Sequence, residues 1–141
     1  ELKSEIEHSV SQLKNQGIDI VMTSWIFDIA SFNAGMDIMC LTSKNEGTPV
    51  SLIEAQASNL PVISTDVGGV SDIVAENETG FIISRKDKRN FVKKLKILVE
   101  QDEIRNKMKS KGWEHVHLKF SYKRLAKDME SYYKRLLTQR N

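Results

Sequence analysis

The chain has a single cysteine, Cys40, so it cannot close a disulfide within itself and reads as a protein of a reducing, cytoplasmic compartment. It has no run approaching the ~20 consecutive apolar residues of a membrane-crossing helix. No secretory leader pattern is visible at its start. Lys and Arg number 21 against 19 Asp and Glu, a net charge of +2, too balanced for the strongly basic face of a nucleic-acid binder. There is no strong internal repeat and no low-complexity tract. The opening Glu1-Leu2-Lys3-Ser4-Glu5 is already helical in pattern and carries no initiator Met, which sets the expectation of a piece of something longer.

What is present suits one globular domain spanning 1–141, with 40% hydrophobic residues in 141. Leu2, Ile6, Val10 and Leu13 recur at helical spacing before Gly17. Short apolar runs follow: 18–25, Met36–Ser43, Pro61–Thr65 and Phe81–Ser84. The second reads as a strand buried on both faces, because its apolar residues do not alternate, and Cys40 within it as a core residue. Between the runs stand shorter helical stretches, over 27–35, from Pro49 to about Asn59 with Thr48 as cap, and over 70–75. Beyond Arg85 the chain is helical, with apolar faces at Phe91, Leu95, Leu98 and Val99, then at Ile104, Met108, Trp113 and Val116, then at Tyr122, Leu125, Met129, Tyr132 and Leu136 after a Ser121 cap. Strands alternating with helices predict an α/β, Rossmann-like doubly wound parallel sheet, here ending in several helices.

Ligands of such sheets bind at the carboxyl ends of the strands, which directs attention to the loops after Ser43 and Thr65. The first contains Glu46-Gly47-Thr48-Pro49-Val50-Ser51-Leu52-Ile53-Glu54. A helix beginning there turns its free N–H groups toward the strand end, an anion site in which amides near Val50 and Ser51 can hold a phosphate. Gly47 permits close approach of a ligand. Glu46 and Glu54 are poor phosphate ligands but good acceptors for sugar hydroxyls. A nucleotide sugar has hydroxyls on both sides of its diphosphate. The second loop, Asp66-Val67-Gly68-Gly69, should lie beside the first, its glycines letting backbone approach the same ligand. Taken alone, each loop reads equally well as an ordinary helix start or turn.

The stretch Lys44–Val74 as a whole resembles the donor-site signature of family 4 glycosyltransferases: a Glu, seven residues and a second Glu (Glu46, Glu54), then Glu54-Ala55-Gln56-Ala57, Pro61-Val62 and Gly68-Gly69. Weaker similarity extends to Met36–Ser43, to Glu78-Thr79-Gly80-Phe81 and to Phe120-Ser121-Tyr122. The resemblance implies the C-terminal, nucleotide-sugar-binding domain of a GT-B fold, which has two Rossmann-like domains with the active site between them. It implies sugar transfer with retention, without a metal or other cofactor, from a nucleotide sugar to a glycan or lipid-linked acceptor in bacterial polysaccharide or glycolipid synthesis. No Asp-x-Asp motif is present. Glu54 would accept from ribose hydroxyls, Glu46 would meet the transferred sugar as the catalytic carboxylate, and Gly47, Thr48, Val50 and Ser51 would line sugar and diphosphate, with Gly68 and Gly69 beside them. Thr48-Pro49 departs from the aromatic residue and second glycine often found in the family, and Asp72 stands where Glu is usual. Pro49 also removes one amide donor.

The family's Arg and Lys diphosphate clamp, two further strands and the acceptor domain would lie before Glu1, so this chain alone is expected to bind donor weakly and transfer nothing. Without those strands, the run over 18–25 should pair directly with Met36–Ser43, or that edge should be covered by a second copy, giving a homodimer. The basic run Lys119–Arg140 suits the solvated face of a helix, with peripheral contact to the inner membrane face as the other reading. His115 and His117, two apart on a helix, do not share a face and read as surface residues, as does His8. Two other functions are weighed: a non-catalytic nucleotide-sugar-binding module, and a GT-B epimerase, whose family lacks the Glu-x7-Glu signature.

Overall fold

The structure, a computed structural model, describes residues 2–139. Arg140, the last cation of the basic run, lies outside the described residues. The order is α1 (Leu2–Lys14), α2 (Ile29–Ala34), β1 (Met39–Leu41), α3 (Val50–Ala57), β2 (Val62–Thr65), α4 (Val70–Ile73), β3 (Gly80–Ile83), α5 (Lys88–Glu100), α6 (Asp102–Phe120) and α7 (Tyr122–Thr138). The three strands are parallel in the order β1-β2-β3. Met39 pairs with Val62, and Val62 in turn with Gly80.

Both faces of the sheet are covered, as alternation along a strand requires. Val62 and Ile82 pack with Leu52 and Ala55 of α3 and with Val70 and Ile73 of α4. Ile63, Phe81 and Ile83 point the other way, onto Phe91, Leu95 and Leu98 of α5 and Met108 of α6. β2, central and shielded on both sides, is buried at all four positions, which is why Val62-Ile63-Ser64-Thr65 shows no polar alternation. Helix α6 spans both layers. It starts beside α5 with Ile104 and Met108, and at Gly112 it reaches the backbone of Gln56 in α3.

The helix ends follow local chemistry. Gly17, at φ +82°, ends α1. Its N–H donates to Lys14 at 2.9 Å, and that of Ile18 donates to Leu13 at 3.2 Å; together these form a Schellman cap that needs the left-handed region. Asp87 caps α5 by accepting from the Asn90 amide, and Ser121 caps α7, as its position predicts.

Several expectations fail at the sheet edge. The run over 18–25 forms no strand; Val21 and Trp25 stand 84% and 90% exposed. An extended segment has no fixed conformation of its own without a ladder to complete. β1 is correspondingly short, half-buried to exposed, and Cys40 is exposed rather than in the core. The apolar stripe of α7 is present but unpacked: no residue of that helix is buried, and Tyr122 and Leu125 are 77% and 58% exposed. In the same way Val99 and Trp113 lie outward while their helical neighbours Leu98 and Val116 are buried.

Candidate functional site at the strand ends

The two loops singled out in the sequence meet. Parallel pairing of β1 with β2 brings their carboxyl ends side by side, and the Thr65 hydroxyl donates to the Ser43 carbonyl at 2.7 Å, tying the first loop to the end of β2. The Gly69 N–H donates to the Gly47 carbonyl at 2.9 Å. Gly68 sits at φ +51°, with the Glu46 carbonyl where a side chain would be: an added Cβ would lie 1.7 Å from that oxygen. A Cβ on Gly69 would lie 2.4 Å from the Gly47 oxygen. The glycine pair is thus a close-packed support under Glu46 and Gly47. By contrast Gly47, read as a point of close approach, has nothing within 4 Å of its Cβ position and faces open space.

Helix α3 starts one residue later than the sequence suggests. Pro49 is the residue before the helix, extended at φ −71° and ψ 91°, and no side chain caps it. Its ring fixes φ in a range that serves a cap position as well as a first turn, and Thr48 then lies too far out to cap. The amides of Val50 and Ser51 therefore stand at an uncapped helix start, without a carbonyl four residues back inside the helix. Leu52, Ala55 and Gln56 point into the core, which turns Glu54 and Val50, one turn apart, outward and exposed. Glu46 is half-buried in the loop. Neither carboxylate has an ion-pair or hydrogen-bond partner among the described residues. No cluster of three metal-ligating side chains occurs among the described residues.

The profile of the family described as Glycosyl transferases group 1 matches residues 1–115. The chain belongs to that family. It is 31% identical over 137 residues to the capsular polysaccharide biosynthesis glycosyltransferase CapM of Staphylococcus aureus, covering 97% of this chain and 36% of CapM. The chain therefore spans about a third of the length of that relative. Among solved structures, the C-terminal domain of the group 1 glycosyl transferase LpcC from Francisella tularensis is 28% identical, with a TM-score of 0.71 over 86% of this chain and 63% of that one. A variant of S. aureus TarM, solved with UDP, α-GlcNAc-glycerol and fondaparinux, superposes with a TM-score of 0.82 at 23% identity, over 93% of this chain and 27% of that one. The fold is that of a GT-B glycosyltransferase domain.

Sequence reasoning missed features that only folding assembles. Ser84, Arg85, Lys88 and Phe91, from β3 and the start of α5, meet Thr42, Lys44 and Thr65 around a cleft of about 530 Å³ at the same end of the sheet. The strand-end rule pointed to this region, but the loop after β3 shows no motif. His115, read as a surface residue, is half-buried, with Nε2 2.8 Å from the Ile73 carbonyl at the end of α4. Nearby, Lys111 donates to Glu78 at 2.9 Å and holds its carboxyl below the usual range.

Proposed function

We propose that this chain is the donor-binding portion of a retaining glycosyltransferase that takes a nucleotide sugar without a metal ion. The observation that carries the reading is the pairing of two unpartnered carboxylates, Glu46 and Glu54, with the uncapped start of α3 between them. The helix start suits the diphosphate and the carboxylates suit hydroxyls on either side of it. In this reading Glu54 accepts from the ribose hydroxyls and Glu46 faces the transferred sugar as the catalytic carboxylate. Gly47, Thr48, Val50 and Ser51 line the sugar and diphosphate, while Gly68 and Gly69 support that loop from below. The UDP in the TarM structure and the capsular polysaccharide role in the name of CapM favour a nucleotide-sugar donor and a glycan or lipid-linked acceptor in bacterial surface-polymer synthesis, at the cytoplasmic side of the membrane. The rest of a CapM-length enzyme supplies the acceptor domain and further donor contacts, so the chain alone binds donor weakly and transfers nothing.

The test is a chemical-shift titration of the 141-residue chain with UDP, GDP, ADP and their sugar conjugates, beside Glu54→Ala. A charge-assisted hydrogen bond contributes ~1.5–3 kcal/mol, so the variant should weaken binding about tenfold to more than a hundredfold. Shifts at Gly47, Ser51 and Glu54 with one nucleotide, lost in the variant, support the reading and identify the base. Binding that ignores Glu54 and moves other resonances overturns it.

A further inference from the structure

The cleft after β3 lies outside the proposed donor loop: none of Glu46, Gly47, Thr48, Val50, Ser51 and Glu54 lines it. Its walls combine two chemistries. Lys44, Arg85 and Lys88 stand on its rim, all exposed and none with an ion-pair partner among the described residues. The one carboxylate there, Asp87, is engaged at the start of α5, where it accepts from the Asn90 amide at 3.0 Å. Three cations are thus left without a compensating anion. Below them Phe91 and Val92 present apolar surface, Phe91 anchored in the core cluster with Leu98 and Ile63. The Thr65 hydroxyl is committed to the Ser43 carbonyl, so Thr65 has no free proton to offer a ligand. Like charges over a low-dielectric floor focus field into a concavity, and about 530 Å³ falls within the ~300–1,000 Å³ of small-molecule sites.

We propose that this cleft binds a phosphate ester, its anionic group meeting Lys44, Arg85 and Lys88 and its apolar or aromatic part lying on Phe91 and Val92. Arg85 provides the planar fork that matches phosphate oxygens, and the lysines add point charges. Two sources share this chemistry, a nucleotide with its aromatic base and an isoprenoid phosphate with its hydrocarbon chain.

The experiment titrates the whole 141-residue chain with UMP, geranyl phosphate, geraniol and inorganic phosphate, following backbone amide resonances, and repeats each with the Arg85→Glu/Lys88→Glu double variant. Both side chains are exposed, so the variant should fold, and its dispersed spectrum verifies that. At least one ester should shift Arg85, Asp87 and Lys88, bind at least tenfold more tightly than geraniol or inorganic phosphate, and lose at least tenfold in the double variant. The tighter of the two esters identifies the source. No shift at these residues with either ester at millimolar concentration, equal binding of inorganic phosphate, or indifference to the charge reversal each overturns the proposal. The Glu54→Ala variant leaves these shifts intact, so this cleft and the donor loop can fail independently.

Discussion

Replacing Gly68 by Ala should be among the most damaging single-methyl additions in this chain, and the structure gives the size of the effect. Two terms act together. At φ +51° a residue with a Cβ pays the left-handed penalty of ~1–2 kcal/mol. The new methyl would also fall 1.7 Å from the Glu46 carbonyl oxygen and 2.7 Å from its carbon. Those are main-chain atoms, so no rotamer change relieves the clash and the loop must move, at an overpacking cost of ~1–3 kcal/mol. The sum, ~2–5 kcal/mol, is a large fraction of the ~5–15 kcal/mol by which a domain is stable. The remaining glycines dissect it. Gly17 has positive φ and open space, so Gly17→Ala isolates the backbone penalty. Gly69 has the clash without positive φ, its Cβ position 2.4 Å from the Gly47 oxygen. Gly47 has neither, so Gly47→Ala should stay within about 0.5 kcal/mol of the parent. Urea unfolding of the four variants, followed by far-UV circular dichroism, measures the series. A Gly68→Ala midpoint indistinguishable from that of Gly17→Ala would refute the close packing of the two loops.

Three further outcomes are expected. Gly112→Ala places a methyl 2.8 Å from the Gln56 carbonyl and should force α3 and α6 apart at ~1–3 kcal/mol, read as a lower urea midpoint; an unchanged midpoint would place the helices farther apart than described. Glu54→Ala should weaken nucleotide binding by about tenfold or more while leaving the urea midpoint unchanged, since the side chain is exposed and unpartnered. Lys111 lowers the Glu78 pKa below its ordinary 4.5. The folded state then holds that proton less tightly than the unfolded chain, so the ion pair contributes stability above that pH and loses it as pH falls through the lowered value. Lys111→Met should therefore lie below the parent in stability at pH 6 and converge with it near pH 3; a gap that stays constant with pH would separate Lys111 from Glu78.

The sequence alone determined the parts of this protein that local chemistry fixes. Strand β2 is legible because four consecutive buried residues leave no polar alternation. Helices α1, α5, α6 and α7 follow from 3.6-residue periodicity, and Gly17, Asp87 and Ser121 end or start them with residues suited to those positions. The spacing of Glu46, Glu54 and the glycine pair was readable because nine residues of loop and helix fix where both carboxylates stand. Tertiary structure decided what depends on neighbours. Residues 18–25 carry a strand-like composition but have no ladder to complete, so their apolar side chains stay exposed. The same missing partner explains the exposure of Cys40, and an unpacked face explains that of Tyr122 and Leu125. The purpose of Gly68 and Gly69 was also invisible in one dimension. They serve the backbone of Glu46 and Gly47, some twenty residues away, because parallel pairing of β1 with β2 sets the two strand ends side by side. The cleft on Lys44, Arg85 and Lys88 arises in the same way, since three separate strand ends must meet before their charges share one surface.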